Sequence, residues 1–183
     1  ITRTVILGKP NEEHKDRYTR VLKGHIALAK LEFTEKTRGS EIDYIARKSL
    51  KEINCDYDHG TGHGIGSFLC VHEGPQRISK PSNNKDAHLK PGMILSNEPG
   101  YYKAGEYGIR IENLIIVKKM REKLYFETIS IAPLDRDLID ENLINDIEKK
   151  WINDYHKKVY LTLSNYLNLN EKKWLKEITQ PII

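Results

Sequence analysis

Two stretches in the first third of the chain place apolar and polar residues with helical periodicity. Between Asn11 and about Phe33, apolar side chains recur every three or four residues, and the same spacing returns after a break at residues 37–39. Ser40 belongs to the residue types that cap helices, so we expect the second helix to begin there. The inner faces would carry Tyr18, Val21, Leu22, Ile26 and Ala29 in the first helix, and Ile42, Ile45, Ala46, Leu50 and Ile53 in the second.

Other segments have the apolar pattern of strands. Residues 1–7 are predicted as a strand already under way at the first residue, so we expect that polypeptide belonging upstream is absent from this sequence. Residues 93–97 are predicted as a buried strand, which Pro99 and Gly100 end with a turn. Residues 107–117 and 125–132 alternate apolar and polar positions and predict two longer strands.

The rest of the chain is predicted to be a polar loop and a helical tail. The loop covers residues 76–92 and includes Ser82, Asn83 and Asn84. The tail has helical stripes at residues 145–166, with Ile147, Trp151, Tyr155, Val159 and Leu163, and at residues 171–178, with Trp174 and Leu175. Long strands joined by short turns predict an antiparallel sheet with helices packed on one side, which is an α+β fold.

Composition excludes several classes of protein. Hydrophobic residues make up 38% of the chain and charged residues 31%, as in ordinary globular proteins. The net charge of +4 is small and interleaved with acidic residues, so no nucleic-acid partner is expected. No apolar run approaches the ~18 residues of a membrane helix, and no membrane partner is expected. Cys55 and Cys70 lack metal-type spacing and are expected to be free thiols, which favours a cytoplasmic location.

A glycine- and histidine-rich segment follows the second predicted helix. His59, His63 and His72 lie within it, and Gly62 and Gly64 flank the middle histidine. Glycine lets the backbone approach other groups closely, as is needed where an imidazole meets a metal ion at about 2 Å among other ligands. The structural alternative is a glycine-rich turn with exposed histidines. Three histidines on this background favour a site.

Two glutamates lie in predicted apolar strands. Glu98 stands at the end of the strand at residues 93–97, and Glu112 lies inside the strand at residues 107–117. A carboxylate in such a setting is costly unless it is paired or binds a cation. Arg110 is predicted to share the sheet face of Glu112, so an Arg–Glu pair is the structural alternative. One nitrogen ligand with several carboxylates suits manganese, cobalt, zinc or iron rather than a structural zinc site.

Nucleophilic and phosphate-binding chemistry have no support in the sequence. The segment Gly66-Ser67-Phe68 lacks the flanking pattern of a Gly-x-Ser-x-Gly elbow. The glycine-rich segment is not followed by the Lys-Ser/Thr pair of a phosphate-binding loop.

The motifs together resemble those of a known enzyme family. The run from His59 through His63 to His72-Glu73-Gly74-Pro75 resembles the signature of the long, cytosolic type of aminopeptidase P. Residues 97–102 and 108–113 resemble that family's two glutamate motifs, in the same order, and the tail at residues 151–156 and 179–182 resembles its C-terminal extension. Prolidases and methionine aminopeptidases share the metal ligands, but the residues around His72 and the tail favour aminopeptidase P.

The resemblance implies the pita-bread fold, a curved antiparallel sheet with helices outside it. Residues 1–133 would be a part of this domain that lacks its N-terminal portion, and residues 134–183 would be a C-terminal helical extension. Two aspartate ligands of the family are missing. The second is expected directly before Ile1, because Thr2-Arg3-Thr4 resembles the end of the family's Asp-x-Thr-Arg-Thr motif. A homodimer of the full-length enzyme is also implied.

The resemblance further implies two divalent metal ions. His63 and Glu98 would bind one ion, and Glu112 would bridge both. Manganese is the preferred metal, with zinc and cobalt as alternatives. 

Catalytic roles are implied as well. Glu98 would move protons in addition to binding metal, His72 would stabilise the tetrahedral intermediate, and His59 would contact the substrate near proline. Tyr102 and Arg110 would orient the carboxylates.

The expected function is metal-dependent release of the N-terminal residue from peptides with proline in second position, as part of a longer enzyme. Three alternatives remain open: an inactive truncated remnant, a binding module that kept the scaffold without catalysis, and a prolidase-type dipeptidase. The presence of His63, Glu98 and Glu112 argues against a pure binding module, which has no physical need of buried carboxylates.

Overall fold

The computed structural model describes residues 1–68, 70–81 and 86–182. The residues it describes form helices and short strands in an α+β arrangement. The helices are α1 Glu12–Ala29, α2 Gly39–Lys51, α3 Asp146–Leu163 and α4 Leu169–Ile178. The strands are β1 Glu32–Phe33, β2 Gly62–His63, β3 Arg77–Ile78, β4 Ile94–Asn97, β5 Gly100–Lys103, β6 Tyr107–Arg110, β7 Asn113–Met120 and β8 Lys123–Thr128. The predicted loop residues Ser82, Asn83 and Asn84 lie outside the described part.

The first two helices form where the periodicity predicts them, with different ends. The Asn11 side chain accepts a hydrogen bond from the His14 N–H at 2.8 Å and starts α1. The helix ends at Ala29, not near Phe33, because Glu32 and Phe33 form strand β1, which pairs with β8. The second helix begins at Gly39, so the prediction that Ser40 is its cap is wrong.

The central layer is a four-stranded antiparallel sheet in the order β1-β8-β7-β4. Buried Ile115 and Val117 of β7 face the helices, and they share one apolar cluster with Leu28 of α1 and Ile42 of α2. The alternation predicted from the sequence therefore places one face of the sheet against the helices. The expected α+β class is confirmed.

The predicted strand at residues 107–117 is two strands in the structure. β6 pairs with β5 in a hairpin, whereas β7 pairs with β4 and β8 in the central sheet. Glu112 lies between the two strands, where it forms an isolated antiparallel bridge with Thr2. The prediction of a strand at residues 1–7 is wrong, because Thr2 is the one residue of that segment in a bridge. 

Two further strand predictions need correction. β8 ends at Thr128, so the strand expected at residues 125–132 is shorter at that end. The turn expected at Pro99-Gly100 is instead the start of β5, which leads the chain out of the sheet and into the hairpin.

The tail helices pack on the same core as α1. Buried Ile152, Tyr155 and Val159 of α3 share an apolar cluster with Val21 and Leu22 of α1. The start of the predicted stripe is wrong: Ile147 is 63% exposed, Trp151 is partly buried, and the next residue, Ile152, is fully buried. Trp174 of α4 is also exposed, whereas Leu175 is buried. Within the described ranges, no helix has the length and apolar character needed to cross a bilayer.

Candidate metal centre

Buried Arg47 of α2 holds the backbone of the segment that leads into His59 and His63. Its guanidinium pairs with the carboxylates of Asp43 at 2.6 Å and Asp56 at 2.9 Å. It also donates to the carbonyl oxygens of Tyr57 at 2.6 Å and His59 at 2.9 Å. Because one side chain satisfies two carboxylates and two carbonyl oxygens, the backbone before β2 has a defined path.

The same network extends to the strand end that carries Glu98. The Thr61 hydroxyl donates to Asp43 Oδ1 at 2.6 Å, and the Thr61 carbonyl oxygen accepts from the Glu98 N–H at 2.8 Å. Gly62 lies so close to β4 that a Cβ at this position would overlap the carbonyl oxygen of Ser96. Glycine is therefore required where the two segments meet, as the sequence pattern predicts.

His63, Glu98 and Glu112 converge. Their imidazole and carboxylate ligand atoms all lie within 4.8 Å of one another, and His63 Nε2 lies 3.3 Å from Glu98 Oε1. Each of the three side chains is partly buried, with Glu98 9% exposed. Among the residues that the structure describes, this is the group of histidine and acidic side chains able to surround a metal ion.

Hydrogen bonds orient all three side chains. His63 Nδ1 lies 3.0 Å from the carbonyl oxygen of Gly64, so in the neutral ring Nδ1 carries the proton and Nε2 presents its lone pair to the carboxylates. The Ser96 hydroxyl donates to Glu98 Oε1 at 3.0 Å, and the Thr2 hydroxyl donates to Glu112 Oε2. Each glutamate thus has one oxygen held by a hydroxyl.

This donor set fits a divalent cation. Two carboxylates and one imidazole lone pair point into a common space, an arrangement that is costly without a positive charge between them. One nitrogen and several oxygens are ligands that manganese, zinc and other first-row ions accept. The hydroxyl donors resemble the outer hydrogen bonds that commonly orient metal-binding carboxylates.

A second set of contacts joins His59, Tyr102 and Arg110. His59 Nδ1 donates to the Gly60 carbonyl oxygen at 2.8 Å, so in the neutral ring Nε2 accepts from the Tyr102 hydroxyl at 2.7 Å. That hydroxyl accepts in turn from Arg110 Nε at 2.8 Å. Burial lowers the pKa of His59 and raises the pKa of Tyr102. His59 is therefore neutral at pH 7.

Arg110 does not pair with Glu112, so that alternative from the sequence is wrong. Arg110 Nη1 lies instead 3.8 Å from Glu98 Oε2. The reason is the break between β6 and β7: Arg110 is the last residue of the hairpin, whereas Glu112 lies outside both strands and pairs with Thr2. The two side chains no longer share one strand face.

The hairpin glycines make room for Tyr102. Tyr102 of β5 stands opposite Gly108 of β6. A Cβ on Gly108 would lie 3.1 Å from the Tyr102 ring, and one on Gly100 would lie 2.6 Å from its hydroxyl. The ring folds across the hairpin over these two positions and reaches His59.

Two adjoining clefts open beside the three converging side chains. The inner cleft has a volume of about 310 Å³ and is lined by His59, Gly60, Gly62, His63, His72, Glu98 and Arg110. His63 and His72, whose ring centroids are 4.2 Å apart, also border a second cleft of about 420 Å³ that extends to Gln76 and Asp86. His72 therefore stands between an inner space at the carboxylates and an outer one that could receive an extended molecule.

The structure brings all the residues expected at the site into one region, and it adds supporting residues. His59, His63, His72, Glu98 and Arg110 line the inner cleft, Glu112 joins the metal-binding group, and Tyr102 bonds to His59. The sequence analysis missed Arg47, Ser96 and Thr2. A signal existed for Arg47, since Asp43 and Arg47 are four residues apart, the spacing of an ion pair along one face of a helix. Nothing in the local pattern pointed to Thr2.

Comparison with known proteins identifies the family. Residues 1–119 match metallopeptidase family M24, and residues 122–182 match the C-terminal region of peptidase M24. The chain is 50% identical over its whole length to 25% of the putative Xaa-Pro aminopeptidase FRA1 of Saccharomyces cerevisiae. It is 42% identical over its whole length to 30% of aminopeptidase P1 of Arabidopsis thaliana.

Solved structures give the same result. The X-prolyl aminopeptidase of Caenorhabditis elegans, described as a cytosolic enzyme with a di-nuclear active site, matches 98% of this chain with a TM-score of 0.90 and 36% identity, over 31% of its own length. The prolidase of Pyrococcus furiosus matches 68% of this chain with a TM-score of 0.58 and 32% identity, over 35% of its length.

The chain spans about a quarter to a third of the length of these relatives. The predicted pita-bread fold and the resemblance to Xaa-Pro aminopeptidases are confirmed. The chain belongs to metallopeptidase family M24.

Proposed function

We propose that this chain is the part of a metal-dependent aminopeptidase that releases the N-terminal residue from peptides with proline in second position. The observation that carries the proposal is the convergence of His63 Nε2 with the carboxylates of Glu98 and Glu112, all within 4.8 Å, beside an open cleft. The names of the relatives, which are Xaa-Pro aminopeptidases, support the substrate class.

In this proposal the converging side chains hold two divalent ions. His63 and Glu98 would bind one ion, and Glu112 would bridge both, with manganese preferred over zinc or cobalt. Bound ions of this kind supply Lewis acidity, which polarises a peptide carbonyl and makes a water molecule more acidic. Glu98 would take a proton from that water and return it to the departing amine. The hydrogen bond from Ser96 to Oε1, which holds the carboxylate, supports this role.

The histidines that line the cleft position the peptide. His72, at the border of the two clefts, would donate a hydrogen bond to the oxygen of the carbonyl under attack. His59 would contact the substrate near proline. Its neutral state and the bond from Tyr102 support this role, because the proline would then meet an uncharged ring. Arg110 donates to the Tyr102 hydroxyl and approaches Glu98.

Two aspartate ligands complete the proposed centre in a longer polypeptide. The backbone nitrogen of Ile1 lies 3.8 Å from Glu112 Oε2. A residue that precedes Ile1 would therefore stand beside the proposed bridging carboxylate, and the proposal assigns the second aspartate to that position. The homodimer, the cytoplasmic location and the boundary at residue 133 remain predictions.

The test uses the polypeptide extended by its upstream segment and loaded with manganese. Losing an outer hydrogen-bond partner of a metal ligand costs about 10- to 100-fold in activity. Because Glu112 would itself be a ligand, Glu112→Gln should lower kcat/KM for an Xaa-Pro tripeptide by at least that much while the circular dichroism spectrum stays unchanged. Glu106→Gln, at an exposed hairpin position, is the matched control and should keep full activity. Retained activity in Glu112→Gln would contradict the assignment.

Substrate length separates the aminopeptidase from a prolidase-type dipeptidase. The proposal expects Xaa-Pro tripeptides and longer peptides to be cleaved, whereas cleavage restricted to Xaa-Pro dipeptides would favour the dipeptidase. Without its upstream segment, the 183-residue chain should bind a second ion weakly and should not hydrolyse these peptides at a useful rate. Robust manganese-dependent release by that chain would overturn this expectation.

A further inference from the structure

A tyrosine of helix α3 lies close to the metal-binding group. Tyr155 of α3 is 6% exposed, and its ring stacks on Trp151 with a centroid distance of 5.2 Å and planes 4° apart. Its hydroxyl donates to the Ala132 carbonyl oxygen at 2.8 Å. The same hydroxyl accepts from Arg3 Nη2 at 2.7 Å and from Asn113 Nδ2 at 3.0 Å. A fourth bond comes from the Ala132 N–H at 3.1 Å. The stacking and the four bonds fix this oxygen in one place.

Arg3 connects that hydroxyl to the backbone of Glu112. Its Nη1 donates to the Glu112 carbonyl oxygen at 2.7 Å and to the Thr2 carbonyl oxygen at 2.9 Å. Its Nε donates to the Pro133 carbonyl oxygen at 2.9 Å. The rigid fork of the guanidinium therefore joins three chain segments. Its Nη2 donates to the Tyr155 hydroxyl at 2.7 Å, and also to Asn113 Oδ1 and the Ala132 carbonyl oxygen, each at 3.0 Å.

Asn113 holds the other side of Glu112. It is fully buried, its Oδ1 accepts from Arg3 Nη2 at 3.0 Å, and its Nδ2 donates to the Ser130 carbonyl oxygen at 2.6 Å. Thr2 and Glu112 exchange backbone bonds of 3.4 Å and 3.0 Å, and the Thr2 hydroxyl reaches the Glu112 carboxylate. The position of that carboxylate thus depends on Thr2 and Arg3, and both depend on contacts with Tyr155 or its partners.

We infer that Tyr155, acting through Arg3, is a positioning residue for the Glu112 carboxylate, so that helix α3 sets the metal affinity of the centre. The inference rests on the metal centre of the proposed function. The bonds of Tyr155 and Arg3 end at residues 2, 112–113 and 132–133. Losing the tyrosine hydroxyl should therefore loosen Glu112 and leave His63 and Glu98 in place.

The test compares two buried tyrosines in the full 183-residue chain. Manganese affinity is measured by calorimetry at a temperature at which circular dichroism shows each variant folded. Tyr155→Phe should weaken binding by about tenfold or more, the usual effect of removing an outer hydrogen bond at a metal site. Tyr18→Phe is the matched control: its hydroxyl is also buried and accepts from the Asp135 N–H at 3.1 Å, apart from Glu112. It should bind manganese within about twofold of the unaltered chain.

The outcomes separate this inference from the proposed function. Equal manganese affinity in Tyr155→Phe and the unaltered chain would overturn the inference alone, as would an equal loss in Tyr155→Phe and Tyr18→Phe. No binding by the unaltered chain would overturn the metal centre and the inference together. If Tyr155→Phe does not fold, Arg3→Lys provides the same test, because it keeps the positive charge and removes the fork. It should also weaken binding by about tenfold, and unchanged binding there would overturn the inference.

Discussion

Two arginines hold the backbone segments that carry the candidate site, and the charge of their hydrogen-bond partners differs. Arg47 is buried among carboxylates, with ion pairs to Asp43 and Asp56. Arg3 donates instead to carbonyl oxygens, the amide oxygen of Asn113 and the hydroxyl of Tyr155. One arginine holds the segment with the histidines, and the other holds Glu112. The comparison shows that ion pairs fix one half of the site, whereas hydrogen bonds to uncharged acceptors fix the other half.

The difference appears in the titration of neighbouring groups. Burial would raise the pKa of Asp56, but hydrogen bonds from Lys80, Lys51 and Arg47 outweigh it and hold that pKa well below its usual range. On the other side, burial and the charge of Arg3 lower the pKa of His25 to about 3. The Arg47 side therefore keeps its charges in mild acid, whereas the Arg3 side has a histidine that must stay neutral.

The largest effect is expected from breaking the Arg47 network. Arg47→Leu leaves the carboxylates of Asp43 and Asp56 without their buried cation, which should lower the free energy of unfolding by about 3–5 kcal/mol. Urea denaturation at pH 7 measures the change. Lys51→Ala, which removes an exposed partner of the same Asp56, should cost less than about 1 kcal/mol. Similar losses in the two variants would mean that burial of the pair has no special weight.

A smaller effect is expected from acid on the Arg3 side. His25 takes up a proton below about pH 6.5 in the unfolded chain but only near its folded pKa of about 3 in the native chain. The unfolded state thus binds more protons between these values, and the free energy of unfolding falls as the pH is lowered. At pH 5 this histidine alone should cost about 2 kcal/mol relative to pH 7.

Two variants of α1 check the assignment of that acid sensitivity. His25→Leu removes the titrating ring and should reduce the fall in unfolding free energy between pH 7 and pH 5, measured by urea denaturation. The part of the fall due to His156, whose pKa burial lowers to about 4, should remain. Val21→Ala lowers stability without removing a titrating group, so its curve should shift down in parallel with that of the unaltered chain. A parallel shift in His25→Leu as well would contradict the role of His25.

The last prediction compares the hydroxyls that donate to the two glutamates. Ser96 is fully buried, accepts from the His63 N–H at 2.9 Å and donates to Glu98, so Ser96→Ala should lower the free energy of unfolding by about 1–3 kcal/mol. Thr2 is partly exposed, and Thr2→Val should cost about 0.5–1.5 kcal/mol. Thermal unfolding measures both. An equal or larger loss in Thr2→Val would show that the Glu112 side is the more rigid one.

Much of the site could be predicted because its chemistry is local in the sequence. A histidine flanked by glycines and carboxylates in apolar segments are unfavourable for stability unless they have a role. The structure brings these residues, His63, Glu98 and Glu112, together. The helices α1, α2 and α3 also follow from periodicity, since each buries one apolar face.

The rest depends on contacts between distant residues. Whether residues 107–117 form one strand or two is decided by the pairing of β6 with β5 and of β7 with β4, which apolar alternation does not encode. Arg3 and Tyr155 are 152 positions apart and meet only in the fold. The predicted pair of Arg110 with Glu112 is wrong for the same reason, because the prediction assumed that residues 107–117 form one continuous strand.

The central claim is that His63, Glu98 and Glu112 together bind a divalent cation. Anomalous X-ray scattering from crystals of the chain grown with manganese tests it directly. The account predicts a manganese peak at about 2.2 Å from His63 Nε2 and from a carboxylate oxygen of each glutamate. A peak bound by other residues, or none at these three side chains in crystals that hold manganese, would contradict it.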